Sequence, residues 1–302
     1  MVSMINSFFI GFIKLLPKSL VSVFAKQYVA GENIDDVLRV VRKLNNEGFK
    51  VTVDILGEHF SDKNKIQQIV SEYSRLYKLI QKNKLDANIS IKPTHIGLDI
   101  ALECALDNFK TILNHASDYN NFLRIDMESS KVTDDTIKIY KILFEKSQNV
   151  GPVFQAYLHR TYDDVKNIKD KSQFNFRLCK GIYKESEEIA FKNYHDINQS
   201  YLKILEYAFK NNIYVGIATH DKNLIDQCYK LIEKYNVNSD AFEFQILYGV
   251  PMDGYLERHK QNNYAVRVYV PYGKQWYEYS IRRIKENPNI LIYVLIIHIN
   301  NT

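Results

Sequence analysis

The sequence is poor in cysteine, proline and glycine, with 3, 6 and 11 of these residues in a chain of 302. The cysteines, Cys104, Cys179 and Cys228, lie far apart and form no Cys-x-x-Cys pair. An odd number of scattered cysteines argues against a disulfide framework and favours a reducing compartment, so we predict a cytoplasmic protein. The scarcity of glycine and proline, with no low-complexity run, argues against a linker between domains.

Several short motifs are also missing. The eight histidines include no His-Glu-x-x-His or comparable pattern, so we predict no metal site. The apolar run 290–299 is too short to span a bilayer. The apolar start, 4–24, is interrupted by Lys14 and Pro17 and no positive charge precedes it, so an amphipathic helix is expected there rather than a signal peptide. We therefore expect no transmembrane segment.

Charge of one sign is not concentrated anywhere in the chain. The formal net charge is +5, and the basic residues are scattered rather than grouped in tracts. Such a pattern is too diffuse for a nucleic-acid-binding surface, although it is compatible with loose attraction to an anionic membrane.

What the sequence does have is a regular alternation of β-rich runs and helical patterns. Eight such alternations over roughly 220 residues predict an α/β fold of the (β/α)8, TIM-like barrel type. A doubly wound sheet is the alternative, but no Gly-x-Gly-x-x-Gly follows any strand. We expect one domain over 1–302, with an N-terminal helical segment at 1–45 and the barrel at 46–302. The predicted strands are Val51–Leu56, Asn88–Lys92, Phe122–Met127, Val153–Leu158, Asn175–Lys180, Tyr214–Thr219, Phe242–Leu247 and Ala265–Val270.

Polar residues stand at the carboxyl end of nearly every predicted strand. In barrels of this type these ends meet at one mouth, where active sites are built. Each residue alone is as compatible with a helix cap or a rim ion pair. Together they favour a functional site, because buried charges carry a desolvation penalty that a purely structural barrel avoids. They are Asp54, Glu58, Lys92, Asp126, Gln155, Arg177, Lys180, Thr219, His220, Glu243, Gln245 and Tyr269.

The segment from Tyr269 to Glu286 adds an adjacent pair of arginines on an aromatic-rich helix, Arg282 and Arg283. Planar, permanently charged guanidinium groups bind both oxygens of a carboxylate at once. Tyrosine and tryptophan side chains nearby offer flat apolar walls with polar tips. The segment therefore suits a small molecule with a carboxylate beside an apolar ring.

Four segments form a specific pattern along the chain. They are Phe-Arg-Leu-Cys-Lys-Gly-Ile-Tyr-Lys-Glu (176–185), Ala-Thr-His-Asp (218–221), Phe-Glu-Phe-Gln-Ile-Leu-Tyr-Gly-Val (242–250) and 269–286. Together they resemble the proline dehydrogenase family of flavoenzymes, in its single-function bacterial form. The resemblance runs in order from about Tyr28 to Pro288, and further matches lie near Asp54, Ser90 and Phe154.

The resemblance implies FAD bound across the barrel mouth without a dinucleotide fold. It would place Arg177 near the reactive nitrogen of the flavin, where a fixed cation favours the reduced form. Gly181 would allow a close approach of the backbone to the cofactor. The implied cofactor contacts are Met127, Gln155, Arg177, Lys180, Gly181, Ile182, Thr219, His220, Glu243 and Gln245.

The resemblance also implies how L-proline is held. Lys92, Arg282 and Arg283 would surround its carboxylate, and Asp126 would organise the pocket, so Asp126 and Arg177 are the implied catalytic pair. Tyr183, Tyr269 and Tyr279 would pack on the ring, with Tyr269 favouring proline over hydroxylated proline.

Two glutamates complete the implied site. Glu58 would pair with the substrate arginine to close the mouth and exclude water, and Glu286, four residues after Arg282, would aim its guanidinium.

The implied reaction oxidises L-proline to Δ1-pyrroline-5-carboxylate, the first step of proline catabolism to glutamate. Electrons would pass to a membrane quinone, so we expect transient membrane contact, at most peripheral on the inner face of the cell membrane. A pyrroline-5-carboxylate dehydrogenase would act downstream.

Two other functions remain open from the residues alone. A Schiff-base lyase or aldolase would use Lys92 or Lys180 as a nucleophile. A barrel without catalysis would only bind an amino acid or an RNA, although no basic stripe interleaved with aromatics supports RNA.

Overall fold

The computed structural model describes residues 18–171 and 173–286. Two helices, α1 (Lys18–Tyr28) and α2 (Ile34–Asn46), precede the first strand. In this part of the chain no helix is long and apolar enough to cross a membrane. The predictions for 4–17 and for the apolar run 290–299 fall outside the described residues.

The eight strands pair in parallel in the order β1 to β8, and β8 pairs with β1 to close a barrel. This confirms the predicted (β/α)8 fold. The strands are β1 (Lys50–Ile55), β2 (Ala87–Ile91), β3 (Leu123–Ile125), β4 (Val150–Gln155), β5 (Asn175–Cys179), β6 (Tyr214–Ala218), β7 (Phe242–Leu247) and β8 (Val266–Tyr272). The helices that follow them are α3 (Lys63–Lys82), α4 (Leu102–Asp118), α5 (Thr133–Phe144), α6 (Thr161–Lys166), α7 (Tyr194–Lys210), α8 (Lys222–Lys234), α9 (Tyr255–Gln261) and α10 (Trp276–Glu286).

Helix α3 illustrates how the sequence sets these elements. The Asp62 side chain accepts hydrogen bonds from the backbone N–H groups of Asn64 and Lys65, which caps the helix. Apolar residues at helical spacing, including Ile66 and Tyr73, are fully buried against the barrel. Capping therefore fixes where the helix begins, and burial fixes which face it turns inward.

The strands turn apolar residues outward to the helices and polar residues inward to the lumen. Val51 and Val53 on β1 are fully buried in the layer beneath the helices. Cα partners in a parallel ladder share a face, so Arg177 on β5, Gly216 on β6 and Glu243 on β7 face the lumen together. Lumens of this fold are commonly filled by branched apolar side chains. Here the lumen is filled by charged and amide groups that must find partners among themselves.

Strands β3, β4 and β8 differ from the predicted bounds by two residues or more, whereas the other strands agree to within one residue. Strand β3 ends at Ile125, two residues early, and β4 ends at Gln155, three residues early. Strand β4 begins at Val150, three residues earlier than expected, because the segment through Pro152 pairs with β3. Strand β8 runs two residues beyond Val270, since Pro271 and Tyr272 continue the ladder with β1. Proline cannot donate to the ladder, but the Pro271 carbonyl oxygen accepts a hydrogen bond from the N–H of Ala30 at 2.9 Å.

Helix α10, which carries the predicted arginine pair, rests on α1 rather than on the barrel alone. Val21 and Tyr28 of α1 form a small buried cluster with Ile281 and Ile284 of α10. Ile281 and Ile284 thus face α1, while Arg282 and Arg283 between them face the cavity. This packing fixes the rotation of the helix about its own axis.

Gly216 provides a test of the packing inside the lumen. A Cβ atom at this position would lie 2.4 Å from Nε2 of Gln245. Gly216→Ala is therefore expected to lower the free energy of unfolding by about 1–3 kcal/mol, measured by urea denaturation. Without that overlap, alanine in a strand would stabilise the fold by about 0.4–1 kcal/mol, so a raised midpoint would contradict the packing described.

Candidate active site

A cavity of about 470 Å³ lies at the carboxyl ends of the strands. Residues predicted to form the site converge on it from the ends of all eight strands and from α10. Seventeen predicted residues line it: Asp54, Lys92, Asp126, Met127, Gln155, Arg177, Lys180, Gly181, Ile182, Tyr183, Thr219, His220, Gln245, Tyr269, Tyr279, Arg282 and Arg283.

Asp126 accepts hydrogen bonds from side chains on three different strands. Its Oδ1 accepts hydrogen bonds from Ser90 Oγ at 2.5 Å and from Arg177 Nη1 at 2.8 Å. Its Oδ2 accepts one from the Tyr269 hydroxyl at 3.0 Å. Burial alone would raise the pKa of Asp126, but the positive charges of Arg177 and Lys92 outweigh it and hold the pKa below its ordinary value. Asp126 therefore stays an anion that fixes its neighbours.

Lys92 is held between two carboxylates. Its Nζ lies 2.9 and 3.0 Å from the two oxygens of Asp54 and 3.7 Å from Oδ2 of Asp126. Burial would lower the pKa of Lys92, yet these carboxylates raise it above the ordinary value. A lysine must lose its proton to attack a carbonyl carbon. This environment argues against Lys92 as the nucleophile of a Schiff-base enzyme.

The guanidinium of Arg177 spans the centre of the cavity floor. Its Nε donates to Oε1 of Gln245 at 2.6 Å, and its plane stacks 5.0 Å from the ring centre of Tyr269. Together with the bond to Asp126, these contacts fix the side chain from two sides. The remaining nitrogen, Nη2, is buried and has no hydrogen-bond partner among the described residues. A donor of this kind is suited to an acceptor atom of a bound molecule.

Glu243 differs from the prediction, because it does not line the cavity. It lies one layer below, where its Oε1 accepts hydrogen bonds from Arg267 Nε at 2.6 Å and from Gln245 Nε2 at 2.7 Å. Its position two residues before Gln245 on β7 explains this, since both face the lumen but at different depths. The expected cofactor contact of Glu243 is thus replaced by a supporting place beneath the site.

Lys180 and Gly181 form the wall that follows β5. The ammonium group of Lys180 pairs with Asp221 and lies 4.1 Å from the ring centre of Tyr194. Gly181 has a φ of +111°, and a Cβ there would lie 2.1 Å from the Tyr157 ring. Glycine is therefore required by the backbone conformation and by Tyr157, which is a reason independent of any ligand.

His220 connects the end of β6 to the end of β7. Its Nε2 accepts a hydrogen bond from the Leu247 N–H at 2.9 Å. Burial, with a contribution from the charge of Arg283, lowers the pKa of His220 to about 4. The ring is neutral at pH 7, as its acceptor role requires.

The two arginines of α10 reach the cavity from above. Nη1 of Arg282 lies 2.5 Å from Oε1 of Glu58, on the loop that follows β1. The His59 N–H anchors that loop by donating a hydrogen bond to the Thr94 hydroxyl oxygen at 3.1 Å. Glu58 is thus beside the cavity as its predicted gate role requires, although it does not line it. The side chain of Glu286 lies outside the described part of the chain, and its expected pairing stays a prediction.

Cations outnumber carboxylates around the cavity. Five basic side chains and three acidic ones line it, so the cavity has an excess of positive charge. Apolar groups lie between them, including Met127 and the half-exposed Ile182. The cavity therefore fits an anionic molecule with a large apolar part.

Three residues that organise this site have no individual role in the sequence prediction, although Asp54 is among the predicted polar strand ends. Ser90 bonds Asp126, Asp54 holds Lys92, and Asp221 pairs with Lys180 while capping α8 through the Leu224 N–H. All three lie in segments that had been recognised for other residues. The available signal was position: each is a short polar residue at or just beyond the carboxyl end of a strand.

The pH dependence of stability tests whether His220 is neutral in the folded protein, when the wild type is compared with a variant that lacks the titrating ring. The unfolded chain takes up the proton near the ordinary pKa of 6.5 and the folded chain only near 4, so acid in this window favours unfolding. His220→Gln keeps an acceptor for the Leu247 N–H but does not titrate. The stability of the wild type is expected to fall more steeply than that of the variant between pH 6.5 and pH 4, in urea midpoints measured across this range. Parallel curves would contradict the buried, neutral state of His220.

Comparison with known proteins agrees with this geometry. The family model described as "Proline dehydrogenase" matches residues 37–291. Proline dehydrogenase 1 of Bacillus subtilis subsp. natto is 35% identical over 271 residues, which cover 90% of this chain and 89% of that protein. Proline dehydrogenase of Deinococcus radiodurans is 31% identical over 277 residues, with 90% and 88% covered.

A solved structure shares the fold. In proline utilization A of Bdellovibrio bacteriovorus, inactivated by N-propargylglycine, the match has a TM-score of 0.80 at 24% identity. It covers 88% of this chain but 33% of that one, so this chain spans about a third of the larger protein. The family model and the two full-length relatives establish the relationship: the chain belongs to the proline dehydrogenase family.

Proposed function

We propose that this protein oxidises L-proline to Δ1-pyrroline-5-carboxylate, the first step of proline catabolism, with FAD as cofactor. The observation that carries this proposal is that one cavity is lined both by Arg177 and by every residue assigned to substrate. Those residues are Lys92, Tyr183, Tyr269, Tyr279, Arg282 and Arg283.

The proline carboxylate binds at the arginines of α10. Arg282 and Arg283 stack against the ring of Tyr279, with guanidinium carbons 5.9 and 5.4 Å from its centre. Arg282 donates through Nη1 to Glu58, which holds its guanidinium at the mouth of the cavity. Lys92 adds positive charge, although Asp54 and Asp126 already neutralise much of it, so the two arginines provide most of the attraction.

The pyrrolidine ring packs against tyrosines whose positions are fixed. The hydroxyl of Tyr269 is tied to Asp126, and burial raises its pKa well above the ordinary value, so it remains a donor. A ring held in this way leaves little room for an added hydroxyl group on the substrate. Tyr269 therefore favours proline over 4-hydroxyproline.

The cavity fits a flavin on three grounds. The buried Nη2 of Arg177 offers a donor, the excess of cations suits a pyrophosphate, and the exposed side chain of Ile182 offers an apolar surface. Met127, Gln155, Lys180, Gly181, Thr219 and His220 would hold the cofactor with them. When bound, FAD supplies the acceptor for the hydride that leaves proline.

The protein's own contribution is to position charge and exclude water. A fixed guanidinium at Arg177 stabilises negative charge that develops next to it during the reaction. Asp126 holds that guanidinium and Tyr269 in one arrangement. The Glu58–Arg282 pair closes the mouth over the substrate and releases it when the pair opens.

The same proposal includes the electron acceptor and the enzyme that acts on the product. Electrons leave to a membrane quinone, which requires transient, peripheral contact of this cytoplasmic protein with the inner face of the cell membrane. The product is handed to a pyrroline-5-carboxylate dehydrogenase. The net positive charge of +5 supports attraction to an anionic surface.

An anaerobic titration with L-proline tests the proposal directly. The purified protein, reconstituted with FAD, is expected to lose its flavin absorbance on addition of L-proline and much less on addition of 4-hydroxyproline. A protein that takes up no FAD would be a binding barrel or a different enzyme. Equal bleaching by both amino acids would contradict the role of Tyr269.

Substitutions in α10 test the carboxylate site. Arg282→Met and Arg283→Met are each expected to weaken proline binding by about 2–4 kcal/mol, because each removes a charge-assisted contact. Glu58→Gln serves as the matched variant, since it keeps both guanidinium groups and is expected to weaken binding far less. Dissociation constants come from the proline dependence of flavin reduction in rapid mixing. Unchanged constants in both arginine variants would show that the carboxylate binds elsewhere.

A further inference from the structure

A chain of hydrogen bonds runs below the site from the bottom of the lumen to Arg177. Arg267 donates through Nη1 to the backbone oxygen of Val51 at 2.8 Å and through Nε to Glu243 at 2.6 Å. Gln245 donates to Glu243 at 2.7 Å and accepts from Arg177 at 2.6 Å. The two arginines can only donate and the Glu243 carboxylate can only accept, so Gln245 is the link of this chain that could be turned over.

The amide of Gln245 is the critical link. With its Nε2 toward Glu243, its Oε1 faces the Nε–H of Arg177 and both contacts are favourable. Turned over, the amide would set two donors against each other at Arg177 and two acceptors against each other at Glu243. The oxygen of Glu243 therefore selects the orientation that Arg177 needs.

Gly216 leaves space for the Gln245 side chain, and Glu243 fixes the lower end of that amide. Gly216 leaves room beside Gln245 that a Cβ atom would fill. Glu243 is 2% exposed, and the charge of Arg267 outweighs burial to keep its pKa below the ordinary value. The acceptor that orients Gln245 is thus present at neutral pH.

We infer that Glu243, which does not reach the cavity, is a positioning residue for Arg177 and acts through Gln245. By fixing the Nε–H of Arg177 downward it leaves the unpartnered Nη2 for the ligand above. The inference rests on the proposed function, in which a fixed cation at Arg177 favours the reduced flavin. It predicts that loss of the acceptor oxygen at position 243 alters the flavin's reduction equilibrium without altering the affinity for proline.

The test is the double variant Glu243→Met, Arg267→Met. It removes one negative and one positive charge, so the net charge of the lumen is unchanged, and methionine approximates both side chains in length. The equilibrium constant for two-electron reduction of the bound flavin is expected to fall about tenfold, equal to about 30 mV in midpoint potential. The turnover number should fall while the dissociation constant for proline stays within about twofold, because Arg282 and Arg283 are untouched.

Two single variants control the interpretation. Glu243→Gln keeps an oxygen able to accept from both Arg267 and Gln245, and its flavin potential is expected to stay near that of the wild type. Thr52→Val removes another lumen hydrogen bond, 2.6 Å long to Asn88, that does not involve Arg177. It should lower stability without moving the potential. A shift in Thr52→Val, or a shift in Glu243→Gln equal to that of the double variant, would overturn the inference.

A further variant tests the inference if the double variant does not fold. Gln245→Met leaves the Glu243–Arg267 pair intact and removes the acceptor of Arg177, and the same tenfold change is expected. An unchanged potential in a folded double variant, or in Gln245→Met, would show that Arg177 is held without this chain. Failure of the wild type to bind FAD or to be reduced by proline would instead refute the proposed function.

Discussion

Buried charge that must be partnered is the constraint on which this structure depends. The barrel lumen holds Arg177, Lys92 and Asp126 in a region from which water is largely excluded, where an unpaired charge is strongly destabilising. Each therefore sits within a network whose members hold one another in place. Rigidity of this kind is what a site needs when its chemistry depends on the position of charge rather than on a protein nucleophile.

The two halves of the site differ in how they are held. The half of the cavity proposed to hold the cofactor is built on strand ends, where Arg177 and Gln245 are fixed by the ladder and by buried bonds. The half proposed to hold the substrate is built on α10 and on the loop after β1, which meet through one partly exposed ion pair between Arg282 and Glu58. A partly exposed pair opens more easily than a buried network. The rigid half thus suits a cofactor that stays, and the looser half suits a substrate that exchanges.

The barrel and most of the cavity could be predicted from the sequence. Short apolar runs alternate with segments whose apolar residues recur at helical spacing, and polar residues mark the strand ends. Depth along a strand was harder to predict. Glu243 and Gln245 have the same parity and similar chemistry, and only the register of β7 against β6 and β8 shows that one faces the cavity and the other supports it. Ion-pair partners were equally hard to predict from the sequence, because the pair formed by Lys92 and Asp54 joins residues 38 positions apart. The early start of β4 is hard to predict, because glycine and proline are both disfavoured inside strands.

The packing of α1 on α10, with the pairing of β1 and β8, joins the first described elements of the chain to the last. During synthesis the ribosome releases α1 long before α10, so the cluster around Val21 and Ile284 forms only after translation has passed the arginine pair. Strand β8 precedes α10 in the chain, so the barrel can close before the mouth of the cavity is complete. A fragment that stops before α10 therefore lacks Arg282 and Arg283 at the cavity.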